Sequence, residues 1–185
     1  MPEVGRVMGI AGTRDTAEIL ETADMTNGAY VRTRVSFAPN IIKPAVHVHP
    51  YQDETYEVQS GTLTYMLNGE MRRAEPGTNV FLPRNVAHQH HSEGPEQTIT
   101  IQTISPALDF DYLIENIFGL ASEGKLVRGR VHLLQGSVWL QKLKGPITLP
   151  NVPLWIQRVV AMLVTPLAYA RGFRAVYKRF SGEEW

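Results

Sequence analysis

The 185-residue sequence contains no cysteine. That excludes thiolate nucleophiles, thiolate metal sites and disulfide frameworks, and it fits a reducing, cytoplasmic setting. Net charge is lacking as well: 18 Lys+Arg balance 18 Asp+Glu, so the whole chain carries no basic footprint for nucleic acid. The first residues, punctuated by Glu3, Arg6 and Arg14, lack the basic-then-apolar order of a secretory leader. Long apolar runs are missing too. The most membrane-like stretch, Val159 to Ala170, carries Pro166 and is flanked by Arg158 and Arg171; it falls short of the ~20 apolar residues a spanning helix needs. There is no Ser-His-Asp order, no phosphate-cradling glycine loop and no dinucleotide fingerprint. What remains is a globular composition, 43% hydrophobic and 19% charged, long enough to bury a core as one domain with an extension.

Period-two patterning dominates the first hundred residues. Val31, Thr33, Val35 and Phe37 alternate with Tyr30, Arg32, Arg34 and Ser36, the pattern of a half-buried strand. Further strands are expected over 45–49, 54–59, 62–67, 70–74, 79–82, 88–91 and 97–104. Asn27-Gly28, Ser60-Gly61, Asn68-Gly69 and Glu75-Pro76-Gly77 punctuate them. Residues 16–23 read as a short strand or a helical turn, and 1–15 as a weakly patterned arm. Many short strands with turns every few residues imply an antiparallel sandwich or barrel.

The chemistry gathers in His47-Val48-His49 and Glu54. Residues two apart on a strand face one side, so both imidazoles point together, and a short bend can return the Glu54 carboxylate to them. Two imidazoles and a carboxylate suit a divalent transition metal, with His88 available as a fourth group.

With the strands in place, the sequence resembles the cupin family. Its first motif, H-x-H, three or four residues, Glu, six residues, Gly, is met by His47-Val48-His49, Glu54 and Gly61. Its second, Gly, five residues, Pro-x-Gly, two residues, His, three residues, Asn, is met at Gly77, Pro83 and His88. Ile41, Asn85 and Ser92 stand where the family often has Gly, Gly and Asn. The resemblance covers roughly residues 28–104. It implies a mainly β fold, a double-stranded β-helix or jelly-roll barrel, over residues 1–104. Residues 105–185 form a C-terminal helical extension, packed on the outside of the barrel or at a homodimer interface. It also implies a metal held by His47, His49, Glu54 and His88, with Fe, Mn, Ni, Cu and Zn all compatible with that ligand set.

Other residues near the motifs have open readings. His90, two beyond His88, is a supporting donor, a general base, a substrate contact or a packed histidine. Tyr56 shares parity with Glu54 and lines the cavity or the core. His91 and Glu57 are expected to face outward, and Gln52 and Asp53 to be solvated in the bend. Arg32 and Arg34 read as surface charge, or as contacts for an anionic substrate. One of Met66 and Leu67 faces inward.

After Ser105-Pro106 the period changes. Phe110, Leu113, Ile114, Ile117, Phe118 and Ala121 recur at helical spacing, a second helix is expected over 131–143, and a long one, kinked near Pro166, over 154–178. The last combines Trp155, Leu163 and Leu167 with Arg171, Arg174, Lys178 and Arg179, so an interfacial membrane contact is one reading beside barrel packing and dimerisation. The resemblance implies a metal-dependent enzyme for a small aromatic or enolic molecule, dioxygenase-like chemistry leading. The alternatives are a non-redox isomerase or polyketide cyclase, and a non-catalytic small-molecule binding module.

Overall fold

A computed structural model describes residues 2–10, 12–39, 43–126 and 130–185; Ile41 lies outside them. Among the described residues, nine strands precede four helices. The strands are β1 (Val7–Gly9), β2 (Thr16–Glu21), β3 (Val31–Phe37), β4 (Asp53–Ser60), β5 (Leu63–Leu67), β6 (Glu70–Ala74), β7 (Asn79–Leu82), β8 (His88–Ser92) and β9 (Thr98–Ser105). The helices are α1 (Phe110–Ser122), α2 (Leu133–Lys142), α3 (Leu154–Ala170) and α4 (Lys178–Ser181). The strands form a six-stranded sheet ordered β1-β2-β3-β9-β4-β7 and a three-stranded sheet ordered β6-β5-β8, antiparallel throughout. The two sheets face each other: Phe37 of one lies edge-on to His90 of the other, ring centroids 5.3 Å apart. This is a double-stranded β-helix with helices appended at its C-terminal end.

Turn chemistry sets the strand register. Asn68 and Gly69 both have positive φ (51° and 86°), the backbone of a two-residue hairpin whose twist matches its strands. Gly61 closes β4 at φ +68°, and a Cβ there would stand 2.6 Å from the carbonyl oxygen of Gln97, so both conformation and space require glycine. Asn85 adopts φ 64°, taking the left-handed turn that the family pattern gives to glycine.

Three expectations change. The arm is not featureless, because Val7–Gly9 pairs with β2. Residues 45–49 do not form a continuous strand. His47 makes an isolated bridge to His88, and Val48 one to Thr148, because the chain passes from one sheet to a C-terminal loop within two residues. The third helix ends at Ala170 rather than Lys178. Gly172 takes φ +83° and Phe173 N–H bonds the Ala168 carbonyl at 3.0 Å, a glycine stop that repays the last carbonyls.

The extension also packs differently from the outer-face expectation. One buried cluster joins Ala17, Ile19, Val31 and Ile104 of the sheet to Phe110, Leu113, Phe118, Leu134, Val138 and Trp139 of the helices. Val31 pairs with Ile104, and Ile104 with Glu54. Directly paired residues project to one face, so the helices cover the same sheet face that carries Glu54. Asp109 is the N-cap residue of α1 but makes no side-chain cap bond, and Asp111 accepts from Tyr112 N–H in the first turn at 3.0 Å. Asp109 accepts from Lys144 N–H at 2.8 Å and Asp111 from Ala23 N–H at 3.0 Å, fastening the start of the helix to the loop before residue 148 and to the end of β2.

Candidate metal centre

His47, His49, Glu54 and His88 come from three places in the chain and meet at one point. His47 and His88 exchange both backbone hydrogen bonds at 3.0 Å, which brings their rings to 4.5 Å. His49 is fixed by its carbonyl, which accepts from Asn85 N–H at 2.9 Å, and its ring lies parallel to that of His88 at 5.4 Å. Glu54 enters from β4, whose Glu54, Tyr56 and Val58 all turn inward and are buried. One ligand atom from each of the four lies within 4.8 Å of every other.

The donor chemistry fits a metal. His88 Nδ1 donates to the Val86 carbonyl at 2.9 Å and His47 Nδ1 to that of Ala45 at 3.0 Å. Each bond fixes the tautomer and leaves an Nε2 lone pair facing inward. Glu54 Oε2 and His88 Nε2 are 3.0 Å apart, yet neither makes a directed hydrogen bond. Two ligands about 2.1 Å from one ion at a right angle stand about 3.0 Å apart. His49 Nε2 is 3.9 Å from the same oxygen.

Electrostatics favour the ligating state of three of the four donors, neutral His47 and His49 and ionised Glu54. Burial pushes the His49 imidazole down to about 4 against the opposing pull of Glu54. Burial and the two neighbouring imidazoles push His47 down to about 3. Burial opposes ionisation of Glu54, but His88 and the surrounding histidines outweigh it and hold the carboxyl well below its ordinary range. His88 is raised, the Glu54 carboxylate overcoming its own desolvation.

Behind the ligands sits a polar triad. Gln102, on β9 opposite Tyr56, donates from Nε2 to Glu54 Oε1 and to the Tyr56 hydroxyl at 2.9 Å. Tyr56 Oη lies 2.9 Å from His90 Nε2, and burial drives the His90 imidazole down to about 3. Tyr56 is held well above its ordinary range, first by burial and then by the Glu54 charge.

A family comparison matches the sequence to the Cupin domain over residues 33–103. These residues are a cupin domain. Comparison with curated proteins finds no match. Among solved structures, the chain is similar to KdgF from Halomonas sp., at 22% identity and a TM-score of 0.45 over 52% of this chain and 82% of that one. It is similar to an RmlC-like cupin from Shewanella frigidimarina, at 21% identity and 0.46 over 56% and 85%. A predicted oxalate decarboxylase from Thermotoga maritima is similar at 19% identity and 0.46 over 56% and 92%.

Several residues of the cupin domain stand elsewhere than sequence patterning placed them. Gln52 is 1% exposed rather than solvated; its amide donates to the carbonyls of Pro106 and Ala107 at 3.0 and 2.9 Å. His91 faces outward as its parity requires but is buried rather than free, its Nε2 2.8 Å from Glu93, which also pairs with Lys43 and Arg73. Asp53 is held by Arg84, Arg32 by Glu57 at 2.7 Å and Arg34 by Glu18, all at the surface. Leu67, not Met66, packs on the inner cluster of Tyr56, Val58 and Leu63. Gln102 was missed; the signal for it is a lone amide on the inward parity Thr98, Thr100, Gln102, Ile104 of β9.

Proposed function

We propose that the cupin domain is a metal-dependent enzyme acting on a small aromatic or enolic molecule, with dioxygenase-like chemistry as its reaction class. The observation that supports this most strongly is the convergence of His47, His49, Glu54 and His88, whose ligand atoms lie within 4.8 Å of one another. A divalent transition metal held by these four supplies Lewis acidity toward a chelating oxygen, and iron, manganese or copper adds reactivity with O2. Gln102 orients Glu54 through Oε1. Neutral His90 is a proton acceptor beside the ligand set, its ring 6.0 Å from that of His47, and Tyr56 fixes its orientation through the hydroxyl. Phe37 and Phe110, which approach His90 and His49 at 5.3 and 6.1 Å, supply apolar walls suited to a flat ligand.

One observation favours a second reading. The Val48–Thr148 bridge and the Gln52–Ala107 hydrogen bond tie the C-terminal extension across the ligand-bearing segment, an arrangement that suits holding a ligand without turnover, or a non-redox isomerisation or cyclisation. Elemental analysis of untagged protein, followed by O2 uptake with catechol and β-diketone panels, separates the readings. Iron, manganese or copper with uptake that His90→Ala slows at unchanged metal content is the expected result. Zinc without uptake transfers the assignment to the non-redox chemistry, and a metal-free protein to the binding role.

A further inference from the structure

The C-terminal part of the chain has a charge composition that the balanced total conceals. From Gly124 to Gly182 there are 10 Lys or Arg and no Asp or Glu, while residues 1–123 hold 8 Lys or Arg against 16 Asp or Glu. Residues 124–182 therefore carry +10 and residues 1–123 carry −8, with Glu183 and Glu184 completing the balance. A region this one-sided points to an anionic partner.

Helix α3 presents an apolar face within that basic region. It buries only Ala161, Thr165 and Ala168, with the Thr165 hydroxyl bonded to the Ser137 carbonyl of α2. On the opposite side Trp155 is 67% exposed and Leu163 71%, with Val159, Met162 and Leu167 exposed beside them. At 100° per residue these five fall on one stripe opposite the buried contact. The helix contains no acidic residue and one cation, Arg158, which bonds the Tyr51 hydroxyl. Lys142 and Arg174 sit by the Tyr169 ring, 6.0 and 5.6 Å from its centroid, and Arg171 caps the C-terminal end. Arg174 pairs with Glu184 at 3.7 Å. Among the described residues, Lys142, Arg158 and Arg171 have no ion pair.

We infer that the Trp155–Leu167 face of α3 docks on the surface of an anionic phospholipid bilayer. An apolar stripe with cations at its sides and end, lying flat, matches the layering of a membrane interface: the stripe enters the acyl boundary and the cations meet the headgroups. No helix among the described residues is long and apolar enough to cross a membrane, so the contact lies on the bilayer rather than through it. A second copy of this chain fits the face less well. A two-fold contact would set Arg158 and Arg171 of one copy against the same cations of the other, with no acidic side chain on the helix to offset them.

Co-sedimentation of the full chain with mixed phosphatidylglycerol–phosphatidylcholine vesicles tests this. Binding at low salt is expected, with a blue shift of tryptophan fluorescence as Trp155 leaves water. Pure phosphatidylcholine vesicles and high salt should weaken it strongly, and Arg171→Gln by about fivefold, the worth of one cation near an anionic surface. Trp155→Glu with Leu163→Glu should abolish pelleting without moving the thermal transition, since both side chains project into solvent. Failure of the unaltered chain to pellet overturns the inference, as does equal binding to pure phosphatidylcholine or a double variant that still binds. A stable dimer that the double variant dissociates, with no vesicle binding, assigns the face to self-association instead.

Discussion

The barrel and the helical extension bury polar groups on different terms. In the extension, Asn116 donates to the Tyr112 carbonyl and the Ser181 hydroxyl and accepts from Tyr177 N–H. Gln135 donates to the Arg174 carbonyl and accepts from the Tyr177 hydroxyl. Each amide is satisfied on both sides and serves to pin α1 and α2 to the C-terminal segment. In the barrel, by contrast, nine described residues have a buried atom without a hydrogen bond: His49 Nδ1, Glu54 Oε2, His88 Nε2 and the amide oxygens of Gln52 and Gln102 belong to the ligand set and its neighbours, while Arg32 Nε, Thr33 Oγ1, Thr64 Oγ1 and His91 Nδ1 lie elsewhere on the strands. Of the described residues past the barrel only Glu115 has such an atom. A buried polar atom without a partner costs roughly 1–3 kcal/mol, a cost that the barrel carries at nine described residues and the extension at one. The extension uses its polar groups for packing, and the barrel interior brings together a donor set that suits a metal.

Removing a ligand breaks that contrast most severely. Glu54→Ala or His49→Ala should lower bound metal by about 100-fold or more, beyond the 10–100-fold typical of a supporting residue, with circular dichroism of the barrel and helices unchanged. Full metal retention in both variants would remove the site. The next largest effect lies in the extension. Leu113, 1% exposed in the cluster that joins sheet and helices, should cost about 2–5 kcal/mol on truncation to alanine. Because α1 lies over the Glu54 face, denaturant unfolding followed through the buried Trp139 and through barrel ellipticity should shift together. A variant in which only the Trp139 signal moves would show the extension unfolding on its own.

Gln102→Leu sharpens the comparison from the barrel side. It removes the amide linking Glu54 to Tyr56 while keeping similar volume, so metal affinity should fall by about 10-fold, the lower end of the cost of losing an orienting hydrogen bond. A leucine variant with unchanged metal affinity but altered substrate kinetics would place Gln102 with the substrate rather than with Glu54.

The two regions also differed in how far they could be read from sequence. Strands were legible because alternation and Asn-Gly or Ser-Gly turns are local properties, and His47, His49 and Glu54 because parity and a short bend decide their convergence. Gln102 and Gln52 were not, because their roles depend on what lies across the sheet and on which carbonyls the extension brings near. Parity gave the side on which His91 points but not that Glu93, held by Lys43 and Arg73, would cover it. The helices were legible as helices, and their placement over the Glu54 face was not, since an apolar stripe names no partner. Gly172 was visible in the sequence as a helix stop, but apolar periodicity beyond it carried the expectation to Lys178.

The smallest expected effect concerns the barrel's outer face. Arg32 and Arg34 share a strand with inward-facing Thr33, and an anionic substrate is one use for such a pair. Their partners argue otherwise. Arg32 meets Glu57 at 2.7 Å with both side chains more than a third exposed, and Arg34 meets Glu18 at the surface. Alternation along β3 and β4, and the pairing of Glu18 on β2 with Arg34, put all four on the side opposite Glu54 and Gln102. Exposed pairs of this kind contribute about 0.2–1 kcal/mol, less in salt. Arg32→Ala should therefore change stability by less than about 1 kcal/mol, with the difference shrinking at high salt, and should leave metal content and substrate affinity unaltered. A rise in KM with unchanged metal would instead connect the outer face to substrate entry.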